Sequence, residues 1–232
     1  MRVYCDRADT IEADRAVSER LVERVADERE PAVRVWRPHR QVAFGRRDAR
    51  AEGYDEARAV AAERGFPAVE REVGGRAVAY TGSTVAFARV QPVADPRSGL
   101  TERYDAATAD LLDALDSLGV DAREGEPADS FCPGTHSVQA DCGGRARKLA
   151  GLAQRVRADA AVVAGVLVVR DHEAIASVLD PVYAALDVPF DPETVGSVAR
   201  AGGEADPDAV VRAVERALVG GEPAPASVER VG

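Results

Sequence analysis

The sequence predicts an α+β domain of mixed β-sheets flanked by helices, and three observations predict it. Short strand-like runs outnumber the long amphipathic helices, several of those runs are joined by tight turns, and the chain does not follow the strict strand-helix alternation of a doubly wound sheet. Its 232 residues suit one large domain, taken here as residues 1–221, with a proline-containing tail at residues 222–232 expected to be frayed.

Residues 11–25 place Ala13, Val17, Leu21 and Val25 at four-residue steps between charged residues, the pattern of an amphipathic helix. Residues 32–36 and 41–44 are short apolar pieces around Arg37, Pro38, His39 and Arg40, read as two strands about a turn. Residues 54–65 form a helix closed by Gly65, and residues 67–71 form a strand entering the Gly74-Gly75 turn. Two more strands follow at residues 77–80 and 84–90. The clearest helix is residues 104–118, with Ala107, Leu111, Leu115 and Leu118 on one face and Gly119 as its C-cap. Residues 137–141 and 148–157 form a hairpin through Cys142-Gly143-Gly144, and residues 160–169 read as a strand buried on both sides. Of three short helical segments that close the chain, residues 208–218 are best defined, with Asp206 as N-cap, Pro207 in the first turn and Gly220-Gly221 as terminator.

A net charge of -10 sets nucleic acid and membrane aside as main partners, because the average surface repels phosphate and anionic lipid. No apolar run approaches a membrane span and the first residues hold no signal-peptide core, so the expected location is the cytoplasm. There Cys5, Cys132 and Cys142 are expected to be free thiols. The spacing of Cys132, His136 and Cys142 matches no usual zinc site, and no metal is assigned. Among 30 basic residues a single lysine, Lys148, keeps the compact ammonium that a guanidinium cannot copy.

Two glycine-bearing segments carry the chemistry. In the first, Arg71, Gly74, Gly75, Arg76 and Ala77 bring backbone amides and cations to one turn, where a carboxylate or phosphate can be received. In the second, Cys132 precedes Pro133-Gly134, a turn that presents sulfur to substrate, and Lys148 follows in Arg147-Lys148-Leu149-Ala150-Gly151-Leu152-Ala153-Gln154. A nearby ammonium favours thiolate and can polarise a carbonyl oxygen.

In this order the two segments resemble the lipoate-protein ligase and octanoyltransferase family, over roughly residues 10–170. That likeness includes Asp14 and the Phe44-Gly45-Arg46 turn. It implies the catalytic-domain fold of biotin and lipoate protein ligases. It also implies Cys132 and Lys148 as catalytic residues, with Arg71, Gly74, Gly75, Arg76, Ala77, Gly151 and Ala153 binding substrate. The Ser-Phe-Cys-Pro-Gly stretch is similar to the cysteine-dependent octanoyl transferases and amidotransferases. These move an octanoyl or lipoyl group through a thioester to a lysine of a lipoyl carrier domain, without a cofactor. The partners implied are the glycine cleavage H protein and the 2-oxoacid dehydrogenase E2 component, with acyl carrier protein as a further donor. The alternative in the same family is an ATP- and Mg-dependent lipoate-protein ligase, or its catalytic subunit, holding a lipoyl-adenylate with Lys148. Glu70 departs from the family's usual pair of arginines, Tyr80-Thr81 from its usual His-Asp, and Arg76 from its third glycine. An apolar tunnel lined by Val78, Ala86, Leu152 and Val163 is expected to bury the acyl chain.

Overall fold

The run Ala160–Leu167 is apolar throughout and almost wholly buried, so it needs a strand on each edge and a layer on each face. The computed structural model supplies both, describing residues 1–71, 73–95, 97–157, 159–220 and 228–231. In chain order the elements are β1 (Arg2–Cys5), α1 (Ile11–Glu28), β2 (Ala32–Trp36), β3 (Gln41–Phe44), α2 (Tyr54–Glu63), β4 (Ala68–Glu70), β5 (Val78–Tyr80) and β6 (Val85–Pro92). They continue with α3 (Leu100–Ser117), β7 (Ala122–Glu124), β8 (Ser137–Asp141), β9 (Ala146–Arg157), β10 (Ala160–Leu167), α4 (His172–Ala185), α5 (Pro207–Val219) and β11 (Val228–Arg230). An eight-stranded mixed sheet runs β11-β1-β2-β6-β10-β9-β8-β7, and a three-stranded sheet runs β4-β3-β5. The predicted α+β class and the β8–β9 hairpin are both present.

Helices α3 and α5 cover one face of the large sheet, where Leu111, Leu115, Val210 and Val214 meet Val33, Val35, Phe87 and Leu167. On the other face α1 covers one end through Leu21 and Val25, while the small sheet, backed by α2 and α4, covers the rest. Between these layers the large sheet presents Ala86 and Ala88 of β6 directly beside Val166 and Ala164 of β10. Small side chains at paired positions cannot fill the gap between layers, and a cavity of about 270 Å³ opens there.

Several expectations are corrected. Segments β2 and β3 are strands with the expected bounds but do not pair with each other: each is buried along nearly all its length and takes neighbours on both edges, so they enter different sheets. In α1 the core position belongs to Asp14, and Ala13 is exposed. Asp14 is drawn inward because Arg34, fully buried on β2, donates to it at 2.5 Å and Trp36 Nε1 donates to its other oxygen at 3.0 Å. The helix α3 starts at Leu100 instead of residue 104, with Gly99 in the left-handed region at φ 68° as its N-cap. Of the tail, residues 222–227 and 232 lie outside the described residues; β11 within it pairs in parallel with β1, and Glu229 takes an ion pair from Arg24 at 2.8 Å. Among the described residues no helix is long and apolar enough to cross a membrane.

Replacing Arg34 by Ala leaves the Asp14 carboxylate buried without its cation, and is expected to cost about 3–5 kcal/mol of stability by urea denaturation. The double variant Asp14→Leu/Arg34→Met removes both charges and is expected to lose clearly less than the single change.

Candidate active site

A β-bulge determines what faces the cavity. Between Val138 and Gln139 the β8–β9 register slips, so that Val138 stands opposite Ala150 while Gln139 stands opposite Lys148, leaving Leu149 as the extra residue. Leu149 and Ala150 both enter the core under α3 and α5, and Lys148 lines the cavity on the same side as Gly151. Regular alternation would have turned Lys148 into the α3–α5 core; the extra residue re-aims it. Gly151 gives the stem room, since a Cβ there would lie 3.3 Å from Lys148 Cε.

The Lys148 side chain has no solvent exposure. Its Nζ donates to Glu126 Oε2 at 2.9 Å and Oε1 at 3.1 Å, and to the carbonyl oxygens of Phe131 at 2.9 Å and Cys132 at 3.0 Å. Burial pushes its pKa down, and the Glu126 carboxylate opposes that shift. Glu126 also accepts from the hydroxyls of Ser130 and Ser137 and from the Gly134 amide at 3.3 Å. One carboxylate thereby gathers the segment 130–137 onto the lysine.

That segment holds Cys132 at φ 43°, a left-handed backbone that costs a non-glycine residue free energy and marks a site fixed by its surroundings. The Cys132 amide donates to the Tyr183 hydroxyl at 2.5 Å, and that hydroxyl donates to the Ala77 carbonyl at 2.9 Å, tying the cysteine turn to the start of β5 through α4. Across from the sulfur, Arg71 donates through one Nη to Cys132 Sγ at 3.2 Å and to the Arg76 carbonyl at 2.6 Å. Burial pushes the Cys132 thiol up, but the Arg71 guanidinium, the Arg76 and Gly75 amides and the Lys148 ammonium together bring it below the ordinary thiol range.

The glycine turn is shaped by close approaches. Gly74 has φ 98°, and a Cβ there would meet the Arg71 guanidinium at 2.6 Å. Gly45 packs against the Gly75 carbonyl, which a Cβ would approach to 2.3 Å. Arg76 is held by the buried Asp48 at 3.2 Å, and Asp48 also accepts from the Gly45 amide at 2.9 Å.

Cys132 stands where two spaces meet. On one side is the apolar cavity, whose walls include Val78, Tyr80, Ala86, Ala164, Val166 and Leu152. On the other is an open groove bordered by Arg46, Arg47, Gly74, Gly75, Tyr104 and His136, with His136 stacked on Tyr104 at 3.6 Å between ring centres. Val163, expected in the tunnel wall, is not there: alternation along β10 gives the cavity Val162, Ala164 and Val166 and turns Val163 to the other face.

A family model described as the Lipoyl protein ligase A/B catalytic domain matches residues 11–219. The chain belongs to this family. Among its relatives, the octanoyl-GcvH:protein N-octanoyltransferase of Geobacillus kaustophilus (strain HTA426) is 30% identical over 138 residues. The match covers 59% of this chain and 47% of that protein, so the chain spans about half of the relative's length. The fold of the lipoyl ligase A/B family is also that of two solved structures. A lipoate-protein ligase A bound with ATP has TM-score 0.76 and 21% identity, over 100% of this chain and 89% of the other. The bipartite lipoate protein ligase of Thermoplasma acidophilum, studied with its E2 lipoyl domain, has TM-score 0.69 and 19% identity over 100% and 88%.

The structure brings Arg71, Cys132, Lys148, Gly151 and Ala153 to one cavity wall, and Gly74 and Gly75 to the adjoining groove. Arg76 and Ala77 contribute backbone contacts at the edge. Sequence reasoning passed over Glu126 and Tyr183. Glu126 lies in an unpatterned loop and Tyr183 among the apolar residues of a helix, and neither carries a local signal. Glu126→Ala strips the buried ammonium of its carboxylate and frees the donors of the cysteine segment. It is expected to lower stability by about 2–3 kcal/mol in urea and to speed proteolytic cleavage within residues 126–137.

Proposed function

We propose that this chain is a cytoplasmic acyltransferase that moves an octanoyl or lipoyl group onto a lysine of a lipoyl carrier domain through a Cys132 thioester. The observation that carries this reading is the position of the sulfur. It sits on a strained turn between a guanidinium and two backbone amides, at the junction of an apolar cavity and an open groove. An alkyl chain in the cavity gains about 0.8 kcal/mol per buried methylene, enough for eight carbons to dominate binding. The groove is then left for the carriers. Support from relatives is the named activity of the Geobacillus protein, an N-octanoyltransferase that uses GcvH, and the E2 lipoyl domain paired with the Thermoplasma ligase.

In the first half-reaction the Cys132 thiolate attacks the acyl carbonyl, the S–C bond forms, and the carbonyl electron pair moves onto oxygen. Collapse expels the donor's leaving group, which takes up a proton. In the second, the neutral amine of the acceptor lysine attacks the thioester, the N–C bond forms, the thiolate leaves and the amine proton passes to solvent. The amides of Gly75 and Arg76, which favour the charged form of the sulfur, are the donors we assign to the developing oxyanion. Lys148 holds the cysteine segment through the carbonyls of Phe131 and Cys132. Acceptors for this step are the glycine cleavage H protein and 2-oxoacid dehydrogenase E2 domains, with octanoyl acyl carrier protein as a further donor.

A second reading, adenylate formation with ATP and Mg, is favoured by one observation. Among the described residues Arg46 and Arg47 border the groove without a side-chain partner, and so are open to a phosphate. Against a close fit, the lysine expected to hold an adenylate is already engaged by Glu126, and the groove offers, among the described residues, no carboxylate for magnesium.

Incubation with octanoyl acyl carrier protein or octanoyl-GcvH and no nucleotide is expected to add one octanoyl mass to the intact protein, removable by hydroxylamine. Cys132→Ala should abolish that adduct. A Cys132→Ala variant that still modifies carrier domains when given ATP would replace this reading with the ligase.

A further inference from the structure

The ammonium of Lys148 is not the group that meets the sulfur. An ammonium has three donors, and those of Lys148 are spent on Glu126 and the carbonyls of Phe131 and Cys132. The contact to sulfur is made by Arg71, at 3.2 Å. Arg71 is itself fixed by the Arg76 carbonyl at 2.6 Å, and it lies over Gly74 so closely that a Cβ there would come within 2.6–2.9 Å of its guanidinium atoms. Its Nε is buried with no acceptor among the described residues, an unmet donor in the wall that carries the nucleophile.

We propose that Arg71 is a catalytic residue whose guanidinium holds Cys132 as thiolate before any acyl donor arrives, and that Gly74 is a positioning residue whose missing side chain gives Arg71 its seat. The inference rests on the reading of Cys132 as the nucleophile. It changes the expected role of Arg71 from substrate binding to activation of sulfur, and that of Gly74 from ligand contact to accommodation of an arginine.

The other titratable groups around the sulfur contribute less. Tyr80 from β5 and Tyr183 from α4 are both pushed up by burial and remain neutral phenols, and Lys148 from β9, which also favours the thiolate, acts behind Arg71 and is paired with Glu126. The sign follows. Arg71 favours the charged form of the thiol, so its removal moves thiolate formation to higher pH; the deficit is full below the wild-type inflection and vanishes above that of the variant.

The test is alkylation of the whole protein by iodoacetamide across pH 5–10, read at Cys132 by peptide mass. The sulfur forms the new S–C bond and iodide leaves. Wild type is expected to inflect below the ordinary thiol value. Arg71→Gln is expected to inflect at least one unit higher, which is about a tenfold slower reaction at pH values below both inflections, with an unchanged plateau at high pH. Gly74→Ala keeps every charge, takes away the seat and adds backbone strain at a φ of 98°, and is expected to shift the inflection in the same direction. It also carries the test if Arg71→Gln loses its cooperative urea transition. Wild-type inflection in folded Arg71→Gln overturns the proposal, and wild-type inflection in Gly74→Ala overturns the seat. Alkylation does not depend on acyl transfer. A low wild-type inflection with no octanoyl adduct therefore counts against the proposed function alone, and a normal inflection with an adduct counts against Arg71 alone.

Discussion

An ammonium with no contact to solvent must be neutralised where it stands, and the candidate site is arranged around that requirement. Lys148 enters the interior because a bulge in β9 turns it there, and Glu126 comes from a loop to meet it. Once there, the carboxylate also collects Ser130, Ser137 and the Gly134 amide, and the lysine collects two carbonyls from the cysteine turn. The geometry of the Cys132 turn is thus a by-product of satisfying one buried pair. A positive φ at Cys132 is tolerated because these bonds, and the Tyr183 bridge to Ala77, leave the turn no other way to be satisfied.

Much of this was legible in the sequence. The helices α3 and α5 announce themselves through apolar spacing and caps, and β10 through an unbroken apolar run, because each of those signals is local. That Cys132 and Lys148 line one cavity was expected from the family resemblance and from the rarity of lysine, whereas their contact, Nζ to the Cys132 carbonyl and not to sulfur, was not. What could not be read is what depends on three-dimensional registration. Asp14 occupies a core position only because Arg34 on another element needs it, and β2 and β3 separate only because each has partners far along the chain. The bulge depends on how β8 and β9 align, and without it Lys148 would have been assigned to the wrong face. Val163 went astray for a related reason, since strand parity cannot be fixed until one residue of the strand is placed.

Charge is distributed against the average. The chain carries a net charge of -10, yet the described border of the groove beside Cys132 bears Arg46, Arg47 and Arg155. A surface that is acidic overall with a basic opening guides anionic groups to that opening and repels them elsewhere. The lipoyl ligase A/B family fold places the opening at the meeting of the two sheets, so that the chemistry lies at the mouth and the acyl chain, in the proposed function, lies behind it.

The alanines of β6 and β10 have a consequence for evolution within this fold. Ala86, Ala88 and Ala164 stand side by side on the cavity face, each contributing a single methyl group to its wall. In the proposed function such a wall would work as a ruler graduated in single carbons. Exchanging one of these methyls for an isopropyl or isobutyl group would shorten the measure without touching the sulfur, the guanidinium or the lysine, so length discrimination can drift independently of reactivity.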